Sequence, residues 1–179
     1  MVKTDIMPKL FTETGLRWLW VALVALALDQ FTKQWVIRVF DLYESVQVLP
    51  FFNLTYVRNY GAAFSFLSDA GGWQRWFFTL IALVVSLVLL WWLIQSKKQE
   101  VLLPVAYALI LSGAIGNVAD RLIYGYVIDF LDFYYQQWHY PAFNIADSAI
   151  FIGAALLIYD AFGNKEKSQN TSQGTLKND

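Results

Sequence analysis

The chain has 179 residues, 58% hydrophobic and 15% charged, with a formal net charge of −1; soluble domains carry about a quarter charged residues, and the near-neutral balance leaves no basic face for nucleic acid. There is no cysteine and His139 is the single histidine, which excludes disulfides, thiol nucleophiles and thiolate metal sites and leaves zinc or histidine-based catalysis resting on one residue. HExxH and P-loop patterns are absent, so carboxylates are the main chemical material left.

A bilayer core of about 30 Å takes roughly 20 apolar helical residues to cross. The first predicted span covers 16–36 and carries Asp29, Gln30 and Lys33 in its second half. Lys3, Lys9 and Arg17 ahead of it, with Ala25-Leu26-Ala27 inside it, imitate a cleavable signal. Helix-compatible polar residues follow Ala27, so a retained span is expected. Residues 37–72 alternate aromatic and polar side chains, as in Val46-Gln47-Val48 and Asn53-Leu54-Thr55-Tyr56-Val57, which predicts short strands. The second span, 77–94, has no charged residue and ends in Trp91 and Trp92, an interfacial pair. The third, 101–119, is apolar apart from Ser112 and Asn117. Residues 120–146 are rich in Tyr, Phe and Asp; the fourth span, 144–162, has Asp147 and Asp160 near its ends. Residues 164–179, rich in Lys, Ser, Asn, Gln and Thr, read as a disordered tail. The expected fold class is therefore an all-α membrane protein: one domain over 1–163, a four-transmembrane-helix bundle with a small strand-containing segment between helices 1 and 2.

Orientation follows from Lys and Arg near the span ends. One side receives Lys3, Lys9, Arg17, Lys97, Lys98, Lys165, Lys167 and Lys177; the other holds Arg38, Arg58, Arg75 and Arg121, with Lys33 just inside it. Both termini should be cytoplasmic.

Charged groups at membrane depth cost at least about 2.5–3.5 kcal/mol each, so each asks for a partner or a role. The outer half gathers Asp29, Lys33, Asn53, Arg58, Asn59, Asn117, Asp120, Arg121, Asp129, Asp132, Asn144 and Asp147, and the inner span ends show little beyond Asp160. That asymmetry points to a site near the outer leaflet. Each residue also has a structural explanation. Asp29 and Lys33, four apart on a helix, can neutralise each other. Asn144 and Asp147 fit an N-cap and an acidic third position. Asp120 at a helix C-terminus opposes the dipole unless Arg121 compensates. Asp129 sits in Tyr126-Val127-Ile128-Asp129-Phe130-Leu131 with no adjacent cation, where burial would raise its pKa; otherwise it is an exposed acid on an interfacial turn. His139, between Trp138 and Tyr140, reads as interfacial rather than catalytic.

Two carboxylates in a water-poor pocket can divide acid and base roles, one drawing a proton from water and the other polarising a carbonyl. Spacing alone leaves open which aspartates meet. It also leaves open an Asp-rich magnesium site acting on phospholipid, with Asp129 and Asp132 as ligands, and a transporter or proton pathway built on the same acids.

Five blocks occur in order: Asp29-Gln30-Phe31-Thr32-Lys33; Arg58-Asn59-Tyr60-Gly61-Ala62-Ala63-Phe64-Ser65-Phe66; Gly113-Ala114-Ile115-Gly116-Asn117-Val118-Ala119-Asp120-Arg121; Val127-Ile128-Asp129-Phe130; and Phe143-Asn144-Ile145-Ala146-Asp147-Ser148. Together with the four-span layout they resemble the lipoprotein signal peptidase (signal peptidase II) family over roughly residues 16–163. The resemblance implies an aspartic endopeptidase of the bacterial cytoplasmic membrane that cleaves diacylglyceryl-modified prolipoproteins just before the lipidated cysteine. It implies Asp129 and Asp147 as the catalytic pair, with Asp29, Lys33, Asn59, Asn117, Asp120, Arg121 and Asn144 in orientation and substrate contact. No metal or cofactor is expected. The expected form is a monomer among membrane phospholipid, with Gly61-Ala62-Ala63 allowing segment 37–72 to pair strand-like with the substrate.

Overall fold

The computed structural model describes residues 6–61 and 71–175. Helix α1 (Ile6–Glu13) leads through a 3-10 turn (Gly15–Trp18) into α2 (Leu19–Val39). Strands β1 (Ser45–Leu49) and β2 (Phe52–Asn59) follow, then α3 (Trp73–Gln95), α4 (Leu102–Ile123), β3 (Val127–Tyr135), β4 (Trp138–His139) and α5 (Ile145–Thr175).

Trp73–Gln95, Leu102–Ile123 and Ile145–Gly163 are long and apolar enough to cross a membrane, with mean hydropathies of 2.7, 1.8 and 1.7. Helix α4 is the hub: 56% of its apolar window is buried, against 22% for α3 and 17% for α5. The outward faces of the others carry exposed Leu80, Leu83, Val84, Leu87, Phe151 and Ile158, an apolar surface suited to lipid and not to water.

Two expectations are corrected. The fold is not all-α, because the strands form one antiparallel four-stranded sheet in the order β1-β2-β3-β4. Half of that sheet comes from 127–139, beyond the 37–72 segment where strands were expected. By length and composition, three of the described helices qualify as spans. Helix α2 has the length, 21 residues, but Asp29, Gln30, Lys33 and Gln34 dilute its apolar run. Helix α5 also continues through 164–175, part of the stretch expected to be a disordered tail. Residues 62–66 of the second motif block, with Ala62 and Ala63 of the expected substrate clamp, lie outside the described residues.

Two apolar cores hold the frame. Leu16, Leu89, Leu93 and Leu111 pack at one end of α2. Val36, Tyr56, Ile128 and Phe130 pack at the other, where the sheet sits on the end of α2. The α4–β3 turn is made by Gly125 at φ +87°, a left-handed residue that ends the helix while Tyr124 and Gly125 N–H groups bond to the carbonyls of Asp120 and Arg121. Strand β3 is thereby launched directly across the end of the bundle.

Candidate active site

Strand β3 lies between β2 and β4, paired to β2 by Asn53↔Asp132, Leu54↔Leu131, Val57↔Asp129, Arg58↔Ile128 and Asn59↔Val127. The register slips between Leu54 and Val57, so Thr55 and Tyr56 together oppose Phe130. Side chains alternate faces along a strand, and one extra residue inverts that alternation from there on. Asn53 and Thr55 therefore share a face with Asp132, whereas Val57 and Asn59 share the opposite face with Asp129. The bonds agree: Asp132 Oδ2 accepts from Asn53 (3.2 Å) and Thr55 (3.1 Å), and Asp129 Oδ2 accepts from the Asn59 amide at 2.9 Å. With the two aspartates on opposite faces, one magnesium ion cannot be held by both.

Asp129 is 1% exposed. Its Oδ1 accepts from the Asn144 side chain at 2.7 Å. Burial, then the nearby Asp147 carboxylate, pushes its carboxyl up to about 8, against the pull of the Asn59 and Asn144 amides and the Lys33 charge.

Asn144 stands just before α5 and closes its first turn: the Asp147 N–H donates to Asn144 Oδ1 (2.9 Å), and the Asn144 N–H donates to Asp147 Oδ2 (3.3 Å). This is the reciprocal cap expected from the sequence, and it leaves Asp147 Oδ1 to accept from the Asn117 amide at 2.8 Å. Asn117 Oδ1 in turn accepts from Lys33 Nζ (3.0 Å) and Asn144 Nδ2 (3.3 Å). The Lys33 bond fixes which way the Asn117 amide faces. Asp129 and Asp147 thus share Asn144, and both sit inside one amide network between β2, β3, α4 and α5.

Behind them Lys33, 0% exposed, lies 2.9 Å from both Asp29 Oδ2 and Asp120 Oδ2. Two glycines admit this packing. A Cβ on Gly116 would lie 2.5 Å from Asp29 Oδ2, and one on Gly113 would lie 2.2 Å from the Ala146 carbonyl oxygen.

The model of the signal peptidase (SPase) II family matches residues 21–163. The chain belongs to that family. It is 68% identical to the lipoprotein signal peptidase of Alteromonas mediterranea over 171 residues, covering 96% of this chain and 94% of the relative. It is 56% identical to that of Shewanella oneidensis, covering 93% and 98%. Two solved structures of bacterial membrane enzymes, determined by the in meso method, share the fold. The one at 2.3 Å has a TM-score of 0.77 at 31% identity, covering 84% of this chain and 90% of its own. The one at 1.9 Å has 0.71 at 33%, covering 81% and 92%. The chain is therefore a bacterial membrane hydrolase of the aspartic-peptidase class.

The residues expected in a signal peptidase II site fall within this network, with three adjustments. Asp120 makes its direct ion pair with Lys33, while the Arg121 guanidinium donates to the Asn117 carbonyl (3.3 Å) and the Gly61 carbonyl (3.0 Å) and lies over the Phe78 ring. Asp29 does more than neutralise Lys33, because its Oδ1 accepts the Ala146 N–H at 2.8 Å. His139 is bonded to Asp132 at 2.8 Å, on the other face of the sheet. Sequence reasoning passed over Gln30, whose amide reaches Asp29 Oδ2 (3.1 Å), Asp120 Oδ1 (3.2 Å) and the Gly116 carbonyl (3.3 Å). The available signal was a glutamine in an apolar helix beside an aspartate.

Proposed function

We propose that Asp129 and Asp147 are the catalytic pair of a peptidase that cleaves diacylglyceryl-modified prolipoproteins before the lipidated cysteine. The observation that carries this is Asp129 itself: a fully buried carboxyl on a strand, bonded by two amides and raised by Asp147 across a shared asparagine. Two such acids cannot both ionise easily. Asp129 holds the proton and donates it toward the scissile carbonyl oxygen. Asp147, half-buried with both oxygens accepting N–H bonds, carries the charge and takes a proton from the attacking water. When the tetrahedral intermediate collapses, the C–N bond breaks, Asp147 passes its proton to the leaving cysteine nitrogen, and Asp129 recovers its own. No metal or cofactor takes part.

The same reading makes α2 a fourth span, with its polar half facing the bundle and not lipid. Both termini are cytoplasmic and the site lies near the outer leaflet, where the substrate's lipidated cysteine also lies. Residues 1–163 act as one monomeric membrane-embedded domain among phospholipids, with 164–179 as a cytoplasmic tail. The test is cleavage of a diacylglyceryl-prolipoprotein by purified protein, read by mass, for the wild type, Asp129→Asn and Asp147→Asn, before and after dialysis against chelator. Near-wild-type cleavage by either variant refutes the pair; activity that chelator removes and magnesium or zinc restores refutes the metal-free mechanism.

A further inference from the structure

Lys33 heads the fully buried side chains of the described residues by size. An ammonium has three donors, and all three are taken, by Asp29 Oδ2, Asp120 Oδ2 and Asn117 Oδ1 at 2.9, 2.9 and 3.0 Å. Charge neutralisation needs one carboxylate; here there are two, and each has a second engagement. Asp29 Oδ1 accepts the backbone N–H of Ala146 at 2.8 Å. Asp120 Oδ2 accepts the backbone N–H of Ile128 at 3.2 Å. Ala146 is the residue immediately before Asp147, and Ile128 is the residue immediately before Asp129. Gln30 ties the two carboxylates together a second time from the same helix.

The geometry points to a yoke: Lys33 grips Asp29 and Asp120, and each of these holds the backbone beside one member of the proposed pair, so that α2 sets the separation of two aspartates on β3 and α5. Asp29, Lys33, Asp120 and Gln30 are positioning residues in this arrangement; the substrate is not their partner. Asp129 and Asp147 are on different elements, and the network between them consists of amide side chains that adjust by rotation. A fixed spacing needs a rigid reference, and a buried ion cluster that locks α2 to α4 supplies it. Misplacement of reacting groups by about 1 Å can cost on the order of a hundredfold in rate. The inference rests on Asp129 and Asp147 being the catalytic pair.

The experiment uses full-length protein in phospholipid vesicles and a synthetic diacylglyceryl-prolipoprotein, with kcat, KM, the pH–rate profile and thermal melting measured together. Asp29→Ala and Asp120→Ala remove the backbone acceptors; Asp29→Asn and Asp120→Asn keep an acceptor oxygen and remove the charge. The expected result is a kcat loss of about ten- to a hundredfold in the alanine variants, with KM held within about twofold. The asparagine variants should regain at least severalfold of that loss. The charged groups facing the pair are Lys33 and Asp29 from α2 and Asp120 and Arg121 from α4. The pair titrates as a unit, so charge-removing variants at Asp29 or Asp120 should move both limbs together, whereas Gln30→Leu, which changes no charge, should leave them in place. Asparagine performing no better than alanine, or kcat falling only in step with melting, would overturn the proposal. Should the alanine variants fail to fold, Gln30→Leu decides, because it changes no charge: a kcat loss of at least about threefold at unchanged melting supports the yoke, and wild-type kcat refutes it. Asp129→Asn and Asp147→Asn run in parallel. If they cleave normally the catalytic pair is wrong; if they are inactive and the yoke variants are normal, only the yoke is wrong.

Discussion

Asp129 and Asp132 stand three residues apart on β3 and are almost equally buried, 1% and 6% exposed, yet they belong to different chemistries. Asp129 faces the bundle, where its partners are the amides of Asn59 and Asn144 and its charged neighbour is a second carboxylate. Asp132 faces the other way and is surrounded by donors from β2 and β4: Asn53, Thr55 and His139. Thr55 also bonds Ser45 on β1 at 2.7 Å, so Asp132 anchors a polar chain that crosses all four strands. On the proposed mechanism, burial alone does not separate the two acids. Their neighbours do: burial raises the Asp129 carboxyl and a second carboxylate raises it further, whereas Asp132 meets donors from two strands and serves as a ligand for them.

The sharpest break of this comparison is a matched pair of substitutions. Asp129→Asn should lower kcat by about a hundredfold or more, the scale for removing an acid–base group. Asp132→Asn should leave kcat within about threefold, its cost falling on the stability of the sheet. The Asp129→Asn, Asp147→Asn double variant should be scarcely worse than either single one, because groups acting as a unit are not additive. Steady-state cleavage at matched expression checks all of these, and an inactive, well-folded Asp132→Asn variant would erase the distinction between the two faces.

The next largest effect should come from Asn59, which the bulge places on the face of Asp129. Asn59→Leu removes one of the two amides that hold the Asp129 carboxyl and leaves the register and the Asp132 face unchanged. A loss of about tenfold or more in kcat is expected, because the remaining amide no longer fixes the orientation of that carboxyl. Wild-type kcat in that variant would show that Asn59 does not matter to Asp129.

The chain itself disclosed the apolar helices, the gathering of polar residues at one end of them and the aspartate without a cation in 126–131, because each of these is a local pattern. Strand β3 was not legible: Val127–Phe130 is buried on both faces, so the period-two alternation that marks a strand is absent. The assignment of Asn59 to Asp129, and of Asn53 to Asp132, depends on a one-residue slip between β2 and β3 that neither strand encodes alone. Lys33 could be paired with Asp29 by helix geometry, but its bond to Asp120, 87 positions on, is purely tertiary. The order of the motif blocks carried what local physics could not, and Gln30 was lost because its neighbour Asp29 is local but its bonds to Asp120 and the Gly116 carbonyl are tertiary.

A smaller effect lies in pH. A carboxyl raised by burial binds its proton more tightly folded than unfolded, so its contribution to stability is complete below the unfolded value near 3.8 and is lost as pH rises through about 8. Wild-type melting temperature should therefore fall between pH 4 and pH 8–9. Asp129→Asn, which is neutral throughout, should show a shallower fall and overtake the wild type at the alkaline end. Cleavage should decline over the same alkaline range, since Asp129 must hold its proton to act. Parallel melting curves for the two proteins would mean that Asp129 is not the acid held neutral by burial.

The smallest expected effect tests the other face. His139 is half exposed, with 51% of its side chain accessible, and it bonds to Asp132 and stacks on Tyr134 at 5.2 Å. Pairs of this kind are screened by water and are worth about 0.2–1 kcal/mol. His139→Ala leaves Asp132 Oδ2 with Asn53 and Thr55 and hands Oδ1, whose partner was His139, to the water that replaces the half-exposed ring. Melting should fall by no more than corresponds to about 1 kcal/mol, and kcat should stay within about twofold, because nothing on this face bonds to Asp129 or Asp147. The comparison makes that small number informative. Asp129 and Asp132 are joined by only three peptide units of one strand, and if losing His139 cut kcat by tenfold, the strand would have to transmit the disturbance through the sheet. The two faces would then be one mechanical unit, and the Asp132 chain across the four strands would count among the supports of the site.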